Sequence, residues 1–148
     1  MKIAIASDHA GFKLKKYLVE KLKSDFEIID YGTNNEVAVD YPDFASKVCR
    51  KIISKEVESG ILICGTGIGM SIAANKYNGI RAANCSSEYE AEMSRKHNNA
   101  NIVTLGERIV KKIDALKIIK IFLNTKFEAE RHQKRVEKIS CIEDLQNH

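Results

Sequence analysis

Gly60-Ile61-Leu62-Ile63-Cys64-Gly65-Thr66-Gly67-Ile68-Gly69-Met70 begins as an unbroken apolar run and then breaks into glycines at alternate positions. Five consecutive residues without a charged or hydroxylic side chain read as a strand buried on both faces, the kind found in a parallel sheet covered by helices. Past the glycines, the pattern predicts a helix through about Lys76. Toward the N-terminus, Lys2–Ser7 reads as another short buried strand. Ala10–Ser24 is an amphipathic helix with Leu14, Leu18 and Leu22 at four-residue spacing. Phe26–Tyr31 is a strand ended by Gly32-Thr33-Asn34-Asn35, and Tyr41-Pro42-Asp43 opens a helix to about Val57. Toward the C-terminus, Gly79–Asn84 is a strand and Ser86–Lys96 a helix with Ser86 as its cap. Asn101–Leu105 is the fifth strand. Lys111–Asn124 and Glu128–Ile142 are the last helices, the second with Val136 and Ile139 facing inward.

Strict alternation of strand and helix implies an α/β fold: a three-layer, doubly wound, five-stranded parallel sheet. The Rossmann-like, flavodoxin-type order 2-1-3-4-5 is expected. Residues 1–148 form one domain, and helix 128–142, with no strand after it, is free to pack on a neighbour.

Composition narrows the function classes. The chain has 148 residues, 24 of them Lys or Arg and 20 Asp or Glu, a net charge of +4. That mild excess suits an anionic small molecule and does not demand nucleic acid. With no tryptophan and 7% aromatics, a base-stacking platform is not expected. The N-terminal apolar run is too short for a signal peptide, and no stretch approaches the ~18 apolar residues of a membrane span. A cytoplasmic protein with neither membrane nor nucleic-acid partner is expected. Cys49, Cys64, Cys85 and Cys141 lack CxxC spacing and read as reduced thiols, with no metal ligand set and no cofactor.

In a doubly wound sheet, ligands bind beyond the carboxyl ends of the strands where the strand order reverses, here between strands 1 and 3. Ser7-Asp8-His9-Ala10-Gly11 follows strand 1, and Cys64-Gly65-Thr66-Gly67-Ile68-Gly69 follows strand 3. Acid, imidazole, thiol and a glycine-rich helix start therefore converge on one crevice. The glycine run is no dinucleotide fingerprint, because Met70 stands where GxGxxG needs glycine, and no GK[ST] follows. Alone, it describes a plain tight turn equally well. Its interest is the cysteine directly before a helix N-terminus, where partial positive charge favours a thiolate base or nucleophile. Asp8 and His9 read also as a helix cap and a surface histidine, and His97-Asn98-Asn99 as a turn. Arg131 and Arg135, four apart on one helix face, could grip a phosphate or form a solvated basic face.

The chain resembles the ribose-5-phosphate isomerase B family, which includes galactose-6-phosphate isomerase subunits. The resemblance rests on SDHAGFKLK at 7–15, DYPDFA at 40–45, ILICGTGIGMSIAANK at 61–76, GIRAA at 79–83, SRKHNNANI at 94–102, LGER at 105–108 and ERHQKRV at 130–136. It implies a metal-independent aldose–ketose isomerase of the pentose phosphate pathway, interconverting ribose 5-phosphate and ribulose 5-phosphate through an enediolate. It further implies Cys64 as the base moving the proton between C1 and C2. His97 is implied as the acid that opens the furanose ring, with Asp8 exchanging hydroxyl protons. Backbone N–H groups of Gly65, Thr66, Gly67, Ile68 and Gly69 would hold the enediolate oxygen. Asn98 would bind the sugar chain, His9, Arg131, Arg135 and Arg108 the phosphate, and Tyr41 would wall the pocket. One branch of the family has a glutamate base at the position of Met70; here Cys64 must serve.

A homodimer with shared sites, or a dimer of dimers, is also implied, because winding puts Cys64 and His97 at opposite edges of the sheet. Alternatives are a six-carbon sugar-phosphate isomerase and a non-catalytic anion-binding module. A receiver-type signalling module would need an aspartate where Cys64 stands.

Overall fold

Five strands, β1 (Lys2–Ser7), β2 (Glu27–Asp30), β3 (Ser59–Cys64), β4 (Ala82–Asn84) and β5 (Ile102–Gly106), pair in parallel in the order β2-β1-β3-β5-β4. The structure is a computed structural model and describes residues 1–146. A 3₁₀ turn at His9–Gly11 leads into α1 (Phe12–Leu22). The remaining helices are α2 (Tyr41–Ile53), α3 (Ile68–Ala74), α4 (Glu88–Lys96), α5 (Lys112–Asn124) and α6 (Glu130–Gln146). No helix among the described residues is long and apolar enough to cross a membrane.

The α/β class, parallel pairing and five strands are as the alternating pattern predicts, but the last two strands are exchanged. The expected order 2-1-3-4-5 gives way to 2-1-3-5-4 because the interior place needs a strand buried on both faces. Ile102–Gly106 is buried throughout, whereas Ala82-Ala83-Asn84 is short and half-exposed and suits an edge. The exchange sets Gly106 beside Cys64 in register. The chain just past β5 thereby turns over the end of β3.

Two cores flank the sheet. Ile3, Ile5, Ile61, Ile63 and Val103 pack under α1, α4 and α5, where Leu14, Leu18 and Leu22 supply the predicted stripe. Ala4, Ala6, Leu62 and Ile102 pack under α2 and α3 through Val48, Cys49, Met70 and Ala74. Small alanines on that face of β1 let the layer approach closely.

Local differences have local causes. Ser87, not Ser86, caps α4: its hydroxyl accepts from the Glu90 N–H, while the Glu90 carboxylate accepts from the Ser86 N–H at 2.9 Å. Helix α2 stops at Ile53, ahead of Lys55 with φ of 62°. In α6, Val136 is buried as expected, but Ile139 is exposed, lining an open groove against Ile80 and Ala82 beside the Gly79–Glu143 hydrogen bond. At the sheet edge, the Asn75 side chain accepts from the Ala82 N–H at 2.8 Å and donates to the Ala82 carbonyl at 3.0 Å.

Candidate active site

The end of β3 places Cys64 at the floor of a crevice of about 240 Å³, lined also by Asp8, His9, Ala10, Tyr41, Gly65, Thr66, Gly69 and Arg108. That volume takes a small polar molecule and is below the usual range for drug-sized ligands. Cys64 is 5% exposed, and its Sγ accepts a hydrogen bond from the Gly67 N–H at 3.1 Å. An anionic sulfur accepts such a bond more strongly than a neutral one. Gly67 is the N-cap of α3 with φ of 80°, and a Cβ there would meet Asn84 Oδ1 and the Leu105 backbone. A side chain at this turn would be strained on both counts. Burial pushes the Cys49 thiol up to about 12 and the Cys85 thiol up to about 11. Cys141 is exposed on α6, so Cys64 is the thiol that lines this crevice.

Of the five loop amides expected to hold an oxyanion, two have partners inside the loop. Gly67 donates to Cys64, and Ile68 donates to Thr66 Oγ1 at 3.2 Å. Among the described residues, the N–H groups of Gly65, Thr66 and Gly69 have no acceptor and stand available to a ligand. The Tyr41 ring lies against Gly69, where a Cβ would come within 2.7 Å of Cζ, so tyrosine wall and glycine loop require each other. Arg108 arches over Gly65, its N–H donating to the Gly65 carbonyl at 3.1 Å and its guanidinium within 3.0 Å of where a Cβ would stand.

Asp8 is buried and does two jobs. One carboxylate oxygen caps the turn at His9–Gly11 by accepting from the Gly11 N–H at 3.1 Å, and the residue also faces the crevice. The helix-cap reading of Asp8 thus holds together with its place in the site. His9 Nδ1 accepts from the Val39 N–H at 3.1 Å. The proton of the neutral ring is therefore on Nε2, which makes His9 a donor for an anion. Nothing in the sequence pointed to Val39, because the partner is a backbone group 30 residues away.

The remaining candidates form a second cluster. His97 closes α4 as its C-cap, and its ring stacks on that of His132, with centroids 4.2 Å apart and planes 17° from parallel. Arg131 and Arg135 flank His132 on α6 and are exposed, as is Asn98. Two arginines brace this region. Arg81 Nε donates to the carbonyls of Asn98 and Asn99 at 3.1 and 3.0 Å. Arg95 donates to Asn99 Oδ1 at 3.0 Å and to the Thr125 carbonyl at 3.1 Å. The Glu128 N–H donates to the Lys96 carbonyl at 3.2 Å, tying the entry to α6 onto the end of α4. Neither brace nor His132 was singled out from sequence, although an arginine entering a three-residue strand has no packing reason to be there.

His97, Glu128 and His132 bring ligand-type atoms within 4.8 Å of one another. A metal lies near the plane of each imidazole that binds it, and two near-parallel stacked rings share no such point. The arrangement fits stacking, not chelation.

None of the His97 cluster lines the Cys64 crevice of the same chain. Cys64 ends a strand, at the carboxyl edge; His97 precedes β5, at the amino edge.

Comparison with known proteins gives matches over nearly the whole length of the chain. A family model described as Ribose/Galactose Isomerase matches residues 3–139. Ribose-5-phosphate isomerase B of Escherichia coli is 47% identical over 147 residues, covering 99% of both chains. A solved ribose-5-phosphate isomerase B from Clostridium thermocellum superposes with a TM-score of 0.97 at 51% identity, covering 99% of each chain. One from Thermotoga maritima gives 0.92 at 51% identity, covering 94% of this chain and 97% of that one. Fold, glycine-loop thiol and whole-length similarity together place this chain in the ribose/galactose isomerase family.

Proposed function

We propose that the chain interconverts ribose 5-phosphate and ribulose 5-phosphate by proton transfer through an enediolate. The observation that carries this is Cys64 on the crevice floor, with an amide donor at its sulfur, amides free beside it, and Asp8 and Tyr41 as walls. Ring opening comes first. His97 gives a proton to the ring oxygen, the bond from that oxygen to C1 breaks, and the C1 hydroxyl loses its proton to Asp8, leaving the aldehyde. The Cys64 thiolate then removes the C2 proton. Negative charge passes to oxygen, where the amides of Gly65, Thr66 and Gly69 meet it; one such donor typically supplies about 2.7–4 kcal/mol of barrier lowering. Cys64 returns the proton to C1 while Asp8 moves the hydroxyl proton from O2 to O1, giving the ketose. His9, as an Nε2–H donor, and Arg108 meet the phosphate from the Cys64 side, Arg131 and Arg135 from the other. No step calls for a metal.

A working site needs two chains. The His97 cluster of one subunit, pre-assembled by the Arg81 and Arg95 braces, completes the Cys64 crevice of a two-fold mate, giving two equivalent sites. Exposed Ile68 and Ile72 on α3 and Ile142 and Leu145 on α6 support such a contact. The deciding assay compares ribose 5-phosphate, allose 6-phosphate and galactose 6-phosphate side by side. The five-carbon sugar is expected to turn over with the highest kcat/KM, and faster turnover of either six-carbon sugar would replace the reading.

A further inference from the structure

We propose that His132 is a positioning residue for ring opening, its imidazole holding the plane in which His97 presents its proton to the sugar. The proposal rests on His97 being the ring-opening acid and adds what orients it. An imidazole turns broadly about its second side-chain torsion unless something fixes it. No hydrogen bond orients the His97 ring among the described residues; its ordered contact is the face of His132, 4.2 Å away and 17° from parallel. His132 is itself anchored, 5% exposed in the first turn of α6. Its own Nε2 stands 3.9 Å from Glu128, too far for a hydrogen bond, so the ring acts through its face and not through a proton.

Charge agrees with that division of labour. Burial, then His97, Arg131 and Arg135, push the His132 pKa down against the opposing pull of Glu128. His132 is therefore neutral near pH 7, and it meets His97 through an uncharged ring face. Lys96, next to His97 in sequence, is engaged by Glu92. Because His132 sits between Arg131 and Arg135, the helix that grips phosphate also sets the acid, and one placement of α6 serves both.

The test measures two reactions in each variant. Turnover of ribose 5-phosphate requires ring opening. Exchange of the C1 hydrogen of ribulose 5-phosphate with heavy water, on an open-chain sugar, requires Cys64 but no ring opening. In His132→Ala and in His132→Gln, which keeps polarity without a ring, turnover is expected to fall about 10- to 100-fold, the scale of a misplaced catalytic group. Exchange is expected to stay within about twofold. His132→Phe restores a flat face and should recover most of the turnover. Equal loss of both reactions, unchanged turnover in the Ala and Gln variants, or no rescue by Phe would overturn the proposal. His97→Ala is the control on the underlying reading: if it retains ribose 5-phosphate turnover, the role of His97 fails first.

Discussion

The two ends of the sheet are built in different ways. At the carboxyl end, strand termini fix a buried Asp8 and Cys64 and, through β5, an exposed Arg108, cross-braced by backbone hydrogen bonds. At the amino end, helix termini carry His97, His132, Arg131 and Arg135, and the two arginines stand open to solvent around a buried His132. Proton abstraction from carbon needs a fixed, dry base and fixed dipoles, which strand ends supply. Capture of a doubly charged phosphate needs long cationic arms, which an outlying helix supplies. The comparison teaches that one chain keeps thiol and cation cluster at opposite edges of its sheet; in the proposed dimer a two-fold mate reunites them.

The sharpest way to break this division is at the base. Cys64→Ala is expected to lower turnover by roughly 10²- to 10⁴-fold, the usual worth of a positioned general base, with substrate binding spared. Steady-state kinetics with a direct binding measurement checks it, and near-normal turnover would remove Cys64 from its role. Next in size, Arg131→Ala or Arg135→Ala should raise KM for ribose 5-phosphate about 10- to 150-fold, from a lost charge-assisted hydrogen bond worth about 1.5–3 kcal/mol. Residual activity on unphosphorylated ribose should change little; equal losses on both sugars would make the arginines structural.

The third test joins the two regions. Inactive Cys64→Ala and His97→Ala chains, unfolded and refolded together, should recover about a quarter of wild-type activity, because half the pairs are mixed and each mixed pair holds one intact site. Proven mixed dimers without activity would put both residues in a single-chain site. The smallest effect is on stability. The folded His132 pKa lies below the ordinary 6.5, so the unfolded chain takes up the proton first as pH falls. Its contribution is complete above about pH 6.5 and is lost as pH drops through the folded value. Thermal unfolding midpoints should decline on that acid limb, and His132→Phe should flatten it. An unchanged slope would contradict the shift.

Continuous apolar runs such as Ile61–Cys64 make the strands legible, and the reversal of strand order between the first and third points to the crevice. The order of β4 and β5 was not read correctly, because alternation gives sequence neighbours while the interior place goes to the more apolar strand; Ile102–Leu105 against Ala82–Asn84 already held that contrast. Asp8, His9, Tyr41, Cys64 and Arg108 line one crevice. His132, Arg81 and the Val39 amide escaped notice because each acts through a contact between distant segments that no spacing rule encodes. The roles of the Arg131-x-x-x-Arg135 pair came from resemblance, since two arginines a turn apart describe a solvated face equally well.

Asn75 offers the outer edge of β4 both a carbonyl and an amide, at 2.8 and 3.0 Å from the groups of Ala82. To the sheet, that side chain is a counterfeit sixth strand one residue long. An open edge invites any passing strand, including that of another copy, to continue the ladder without limit. By occupying the two groups that such an addition would need first, Asn75 denies the sheet a route to edgewise polymerisation.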